Sequence, residues 1–354
     1  MNEKRKSLSQ AMRDADAFVI AEVGMNHDGS LGNALRLIEE AADAGVDAVK
    51  FQLHISAAET LPNAPTPPYF KVEGRYQYFE RTAFSLEEWT TLREHATELG
   101  LYFVVSPFSR AAVDVLEAVG VDGYKVASGE TTNLPLLEYL RGTGKATLLS
   151  TGMSNWAEVD AAVDALGDSL AVVFQCSSSY PCPPERVGFN VVEELAERYD
   201  GVLVGFSDHT LSSASAVAAL LKGATVFEKH FTLSKRMYGA DARFSLEPEE
   251  LAEFVSGLRF VARALASPVD KDDLEPYEEM KRVFEKSVVA ARDLPVGHEL
   301  KLEDLAFKKP GDGIRADRYR TLLGRRLKVA LKVDQQVLLS HLEPAIPSDS
   351  DESD

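Results

Sequence analysis

The sequence predicts an α/β fold: a (β/α)₈ TIM barrel followed by a small β-rich domain. Three observations predict it. Short apolar runs alternate with longer amphipathic segments from the N-terminus to about residue 265. The runs number eight, the arithmetic of a closed (β/α)₈ barrel. No GxGxxG follows the first run, which argues against a doubly wound dinucleotide-binding sheet.

The runs are AFVIAEVG (17–24), DAVKFQL (47–53), LYFVVSPF (101–108), GYKVAS (123–128), ATLLSTG (146–152), LAVVFQC (170–176), GVLVGFS (201–207) and ATVFEKHF (224–231). Each is short and rich in β-branched or aromatic residues, as strands are. Between them lie segments such as SLGNALRLIEEAADAG, SLEEWTTLREHATELG and SNWAEVDAAVDALG. Each begins with Ser, an N-cap residue, and ends at Gly, a common residue just past a helix. The barrel is expected over residues 1–265. Residues 266–283, polar and carrying Pro268 and Pro276, read as a linker. Residues 284–345 read as the small β-rich domain, with turn signals LPVG and PGDG, and the acidic end 346–354 as a disordered tail. Residues 55–84 form a Pro-rich insertion after the second strand, of the kind that serves as a lid or binding loop.

The chain has 354 residues and a formal net charge of −18. Such a charge argues against nucleic acid or an anionic membrane surface as partner. No apolar stretch approaches the ~20 residues a membrane helix needs. The N-terminus has no apolar core of a secretory signal. Cys176 and Cys182 are too few for a disulfide framework and are not spaced as a zinc site. A cytoplasmic setting is the expectation.

In a barrel of this kind the site stands at the C-terminal ends of the strands. There the sequence places Glu22, Lys50, Gln52, Ser106, Phe108, Lys125, Ser128, Glu130, Ser150, Thr151, Ser178, Tyr180, Ser207, Asp208, His209, Glu228, Lys229 and His230. Buried ionisable groups are costly unless paired or used. Lysines and hydroxyls suit a phosphate plus a carboxylate, and they would place a cationic pit in an acidic protein. His209 and His230, at the ends of neighbouring strands, could hold one divalent ion and leave positions open for water and substrate. Asn26 and His27, in GMNHDGS, are either site residues or a helix-entry turn. Cys176 reads as an apolar filler.

Together these strings resemble the sialic acid synthase family, the N-acetylneuraminate synthases and their legionaminate and pseudaminate relatives. The matching pieces are IAEVGMNHDGSLGNA, AVKFQ, SPFS, YKVASGE, LSTGM, SYPCP, GFSDHT and EKHFT, in family order from about residue 18 to residue 232. PVGHELKLEDL and KKPGDGI resemble the antifreeze-like, β-clip SAF domain that follows the barrel in that family. The resemblance implies a condensation of phosphoenolpyruvate with an open-chain N-acyl amino sugar, N-acetylmannosamine being favoured, with release of phosphate. The alternative is a legionaminate or pseudaminate synthase using a 6-deoxy diacetamido hexose. The resemblance implies Mn²⁺, with Mg²⁺ or Co²⁺ as alternatives, held by His209 and His230.

Carried over by position, Lys50, Lys125, Ser106, Ser128, Ser150, Ser178 and Ser207 would cradle phosphoenolpyruvate. Glu22, Gln52, Tyr180 and Asp241 would meet the sugar, with Phe108 beside them. Glu130 and Glu228 would handle protons or position the attacking water; Glu22, Lys50, Lys125, Glu130 and Glu228 are the catalytic candidates. A swapped homodimer through the SAF domain is also implied. Lys309 stands where the family carries an Arg that reaches the partner's sugar site, and Arg315 is a substitute for it. YGAD, ending at Asp241, replaces Gly-Pro-Asp. A Schiff-base aldolase using Lys50 or Lys125, and a non-catalytic sugar-binding protein, are the rival readings.

Overall fold

Eight parallel strands close on themselves in chain order: β1 (Phe18–Gly24), β2 (Ala48–Leu53), β3 (Tyr102–Pro107), β4 (Gly123–Val126), β5 (Ala146–Ser150), β6 (Leu170–Cys176), β7 (Leu203–Asp208) and β8 (Val226–His230). Each matches one of the predicted runs. The computed structural model describes residues 5–65 and 73–344. The expected disordered tail and part of the Pro-rich insertion fall outside the described residues. The chain forms two compact units, Met1–Pro268 and Val269–Asp354. No helix among the described residues is long and apolar enough to cross a membrane.

The helices are α1 (Leu8–Asp14), α2 (Leu31–Asp43), α3 (Ser56–Glu59), α4 (Arg75–Arg81), α5 (Leu86–Glu98), α6 (Arg110–Val119), α7 (Leu134–Gly142), α8 (Trp156–Leu166), α9 (Phe189–Arg198), α10 (Ala214–Leu221), α11 (Pro248–Ala266) and α12 (Glu278–Phe284). Two of the expected Ser caps, Ser30 and Ser85, form, and Ser109 adds a third. Ser85 and Glu88 make a capping box at α5, and Ser30 and Ser109 cap α2 and α6. At α8 the cap is Asn155, one residue beyond the Ser expected: its side chain, with Glu158, closes the box. The end of the stretch read as a linker is helical, in α12 (Glu278–Phe284), which runs one residue past it.

Strand parity sorts the barrel. Val19, Ala21 and Val23 of β1 face the helices, while Phe18 and Ile20 face inward. The inward residues nearest the strand starts are apolar: Phe18, Ile20, Ala48, Val104, Leu148, Val172, Phe174 and Val226 form one cluster. Leu8 and Met12 of α1 complete it from below. Gly123 opens β4 without a side chain because a Cβ there would stand 2.6 Å from the Leu8 methyl and 2.8 Å from the Ala146 carbonyl. The helix α1 thus stoppers the N-terminal end of the barrel.

The second unit pairs β9 (Ser287–Ala290) antiparallel with β10 (Leu305–Lys308) over Val288, Leu294, Leu300, Leu327 and Val337. Asp304, fully buried, anchors it by accepting from Arg292 and pairing with His298 Nε2 at 2.8 Å.

Met12→Ala removes most of the stopper's apolar side chain at a site with no exposure. Urea unfolding should show a loss of about 2–5 kcal/mol. A loss below about 0.5 kcal/mol, typical of surface positions, would mean α1 does not seal the barrel.

Candidate active site

The next inward layer is polar. Parity places Glu22, Lys50, Gln52, Ser106, Lys125, Ser150, Cys176, Ser207, Glu228 and His230 around one pit at the C-terminal ends of the strands. Register sets their neighbours. Glu22 lies level with Lys50 on one side and His230 on the other; Ser207 lies level with Glu228.

Two ammoniums and two carboxylates alternate at its base. Lys50 Nζ stands 3.0 Å from Glu22 Oε2 and 3.6 Å from Glu228 Oε1. Lys125 Nζ donates to Glu228 Oε2 at 2.7 Å. Ser207 donates to Glu228 Oε1 at 3.0 Å, and Lys50 reaches Ser106 Oγ at 3.4 Å. Burial opposes each charge, and the partners decide which charges survive. Burial lowers Lys50, but Glu22 and Glu228 outweigh it and raise its pKa above the ordinary value. Burial lowers Lys125 more than Glu228 restores, because Lys50 adds a like charge. Burial raises Glu228, yet Lys125 and then Lys50 hold it well below the usual carboxylate range.

The floor is Phe174. Lys125 Nζ sits 3.7 Å from its ring centroid, a cation–π contact in a dry place. Gly205 makes room for that ring; a Cβ there would lie 2.5 Å from it.

A hydroxyl cradle adjoins the lysines. Gly152 N–H donates to Ser128 Oγ at 3.2 Å. A Cβ on Gly152 would meet Ser178 Oγ at 2.6 Å and Ser128 Oγ at 2.7 Å. The absent side chain leaves room for both hydroxyls; Ser128 lines the pit, whereas Ser178, also expected there, is not among its lining residues. Ser150 lines the pit as well. Thr151 does not join them: its hydroxyl donates to the Phe174 carbonyl at 2.8 Å.

The two histidines stand side by side, ring centroids 5.4 Å apart. His209 Nδ1 lies 2.7 Å from the Ser177 carbonyl, so in the neutral ring that nitrogen carries the proton and Nε2 keeps its lone pair. Burial lowers the pKa of His230 and leaves its ring neutral; its Nδ1 is buried without a hydrogen-bond partner. Burial lowers the pKa of His209 too, but Cys176 and the Ser177 carbonyl outweigh it and raise the value above the ordinary one. A buried orphan nitrogen beside an imidazole whose Nδ1 is fixed by a carbonyl is a donor set that fits a divalent ion once Nε2 is bare. Among the described residues no group of three or more His, Cys, Asp or Glu could hold a metal. Two protein ligands would leave the other positions to water and substrate.

The histidines are held from behind. Asp208 and Lys229 share one register position but face outward. Lys229 donates to Asp208 Oδ2 at 2.8 Å and to the Thr210 carbonyl at 2.6 Å; Ser215 completes the Asp208 shell at 2.6 Å. These two residues, read as strand-end candidates, belong to the scaffold. Tyr180 covers His209 at 4.1 Å between ring centroids, and Cys182 N–H ties its loop to the His209 carbonyl at 2.8 Å.

The rim holds Phe108, Asp241, Arg75 and Arg243. Lysines and glutamates cancel in the base, so the expected cationic pit takes its excess from the rim. Lys50, Lys125, Arg75 and Arg243 stand against Glu22, Glu228 and Asp241, four cations to three carboxylates. Arg75, His54 and Phe174 were not among the predicted site residues. For His54 a signal existed: it continues the inward parity of Lys50 and Gln52.

Other expectations land elsewhere. Glu130 accepts from Asn133 at 2.7 Å and lines a separate depression with Glu59 and Ser109. Lys309 lies in the second unit, its ammonium 4.7 Å from the Phe284 ring centroid. Asn26 borders the pit but is bound to the Phe231 carbonyl at 2.7 Å and to Ser245. His27 packs on Phe84, and burial takes its pKa down to about 3. The helix-entry reading fits both.

Comparison with known proteins bears on what this pit is. The NeuB family model matches residues 37–270, and the SAF domain model matches residues 285–343. The chain is 34% identical to the N,N'-diacetyllegionaminic acid synthase of Campylobacter jejuni over 330 residues, 90% of this chain and 98% of that protein. It is 34% identical to the N-acetylneuraminate-9-phosphate synthase of Homo sapiens over 333 residues, 91% of each. A crystal structure of N-acetylneuraminic acid synthetase from Leptospira borgpetersenii, in complex with citrate, superposes with a TM-score of 0.65 at 29% identity. It covers 75% of this chain and 91% of that one.

The charge quartet predicts its own failure. Glu228→Gln leaves two buried ammoniums facing one carboxylate. The variant should lose about 3–5 kcal/mol at about pH 7. In its native state Lys125 then sheds its proton readily while the unfolded chain keeps it. The unfolded state binds more protons, so the variant should recover stability relative to wild type as pH rises towards about 10. Urea midpoints at the two pH values read this; a deficit constant with pH would contradict it.

Proposed function

The chain belongs to the NeuB family and carries a SAF domain, and from that premise we propose that it condenses phosphoenolpyruvate with an open-chain N-acyl amino sugar. The product is a nine-carbon sialic-type acid plus phosphate, with N-acetylmannosamine as the favoured sugar. The observation that carries the proposal is the pairing in one pit of an anion site with two facing imidazoles. Lys50, Lys125 and the hydroxyls of Ser106, Ser128 and Ser150 make the first; His209 and His230 make the second.

In this reading Lys50, Lys125, Ser106, Ser128, Ser150, Ser178 and Ser207 bind the phosphate and carboxylate of phosphoenolpyruvate. Glu22, Gln52, Tyr180 and Asp241 orient the sugar, with Phe108 on the rim. C3 of phosphoenolpyruvate bonds to the aldehyde carbon, water adds at C2, and phosphate leaves with C–O cleavage. Glu228 is the better placed of the two proton-handling candidates: it lies in the pit between both lysines, whereas Glu130 is turned to Asn133. His209 and His230 would hold a divalent ion, Mn²⁺ in this proposal, whose chemistry is Lewis acidity towards the aldehyde oxygen. The dry floor and closed lower end exclude water from the lysines and strengthen every charge interaction there. The proposal includes a swapped homodimer in which Lys309 reaches the partner's pit.

A second reading, a 6-deoxy diacetamido hexose as the sugar, draws on the relative from Campylobacter jejuni, which matches at 34%, the same identity as the human one.

Phosphate release from phosphoenolpyruvate should require both N-acetylmannosamine and a divalent ion, stop with EDTA and return with Mn²⁺. Release only with the diacetamido sugar would select the second reading, and silence with every sugar would remove the proposal. Gly152→Ala pushes a methyl between the two cradle hydroxyls. It should raise KM for phosphoenolpyruvate about tenfold, the worth of one lost hydrogen bond to a charged group. KM for the sugar should stay within about twofold on the same scale. Equal rises in both would place the cradle elsewhere in the reaction.

A further inference from the structure

The wall of the pit carries a dyad that the proposed reaction does not use. His54 lies two residues beyond Gln52, its ring buried. Its Nδ1 stands 2.8 Å from Glu59 Oε1 and its Nε2 3.2 Å from Gln52 Oε1. The Gln52 amide nitrogen donates to Glu22 Oε1 at 2.7 Å, and Glu22 Oε2 meets Lys50 Nζ at 3.0 Å. Glu59 is itself fixed: its other oxygen accepts from Ile55 N–H at 3.3 Å. Five side chains make one file, from α3 outside to the lysine inside.

The hydrogen positions in this file can be assigned from its inner end. Glu22 is ion-paired with an ammonium, and its carboxylate offers Gln52 an acceptor oxygen and no hydrogen. Gln52 must therefore turn its NH₂ to Glu22; the flipped amide would put two oxygens 2.7 Å apart. The amide oxygen then faces His54 Nε2, and that nitrogen must carry a hydrogen. The other ring nitrogen faces a carboxylate oxygen, and a hydrogen must lie between them too. A neutral imidazole beside a carboxylate carries one hydrogen for these two places.

We infer that His54 and Glu59 together hold a second hydrogen, as imidazolium with carboxylate or imidazole with carboxylic acid, and that it fixes the Gln52 amide with its nitrogen towards Glu22. His54 is thus a positioning residue: it acts on the pit through Gln52.

An independent observation agrees. The His54 ring is sandwiched between Phe79 at 3.6 Å and Phe108 at 4.1 Å, tilted by 5° and 18°. Neutral rings avoid face-to-face stacking, whereas a cationic ring is drawn to aromatic faces on both sides. The charged surroundings act in both directions. Burial, with Arg75 from α4, holds the ring's own pKa below the ordinary histidine value, and Glu59 from α3 and Glu22 from β1 oppose it without outweighing it, so the hydrogen count rests on the geometry of the file. His27, on the turn after β1, is neutral. A dyad of zero net charge is also cheaper to bury beside Glu22 than a lone carboxylate.

The consequence is directional. When rising pH removes the second hydrogen, Nε2 presents a lone pair to the Gln52 oxygen. The amide turns over and sets its oxygen against Glu22, and the wall exchanges a donor for an acceptor. The effect on the sugar rests on the proposed function; the hydrogen count does not.

The test keeps these apart. In the full chain labelled with ¹⁵N-histidine, His54→Gln identifies the His54 signals among the seven histidines. At about pH 7.5, well above the ordinary histidine value, Nε2 should carry a proton; a bare Nε2 overturns the inference whether or not any sugar is turned over. In kinetics, KM for the amino sugar should rise about tenfold between about pH 7 and pH 9.5, with kcat changing less. Glu59→Gln supplies that hydrogen permanently from an amide N–H, because Ile55 N–H holds the amide oxygen on the other side. Its KM should stay within about twofold of wild type at about pH 7 and remain flat with pH. A protonated Nε2 with a wild-type KM blind to pH would overturn the positioning role alone.

Discussion

Two ammonium groups and two carboxylates are buried together inside a barrel, and much of the molecule follows from that. Taken singly, none of the four charges could be kept there. Alternated as Glu22, Lys50, Glu228 and Lys125, each has an opposite neighbour within hydrogen-bonding or ion-pairing reach. Such an arrangement needs a dry floor, a rigid strand register and small neighbours. Phe174 provides the floor, and Gly205 yields it space. The register Glu22–Lys50 and Glu22–His230 fixes where the charges meet. Serines on three strands, Ser106, Ser150 and Ser207, offer hydroxyls without competing for charge.

Parity then divides labour within single strands. In β8, Glu228 and His230 face the pit while Lys229 between them faces the helices. Its pairing with Asp208 clamps the ends of β7 and β8, where both histidines stand. The inner residues can be electrostatically strained because the outer ones are fully satisfied. A change at Asp208 would be felt by the histidines without touching any ligand.

The period-2 runs and the Ser and Gly boundaries of the helices made the barrel legible, since both reflect local backbone chemistry. Glu22, both lysines and both histidines were legible because ionisable residues stand out in apolar strands. What was not legible depended on distance in the chain. The partnering of each lysine with a glutamate required knowing which strands close the barrel, so the base was expected to be cationic. Lys229 and Asp208 were grouped with the site because nearness to a strand end was weighed above the face each occupies. Glu130 sits in a turn whose direction no periodicity encodes. His54 lies just past the strand, where alternation is no longer assumed to hold, although it does. Phe174 passed as an ordinary core residue because its partner cation comes from β4.

The stopper formed by α1 makes the barrel a vessel with one mouth. Whatever binds at Lys125 descends past the histidines and Tyr180, and it leaves by the same route. Two ligands cannot change places in such a shaft. Under the proposed function, the one seated at the lysines would have to arrive first and would be held until the upper position cleared. Order of arrival would then be a property of the architecture, set at the closed end of the barrel.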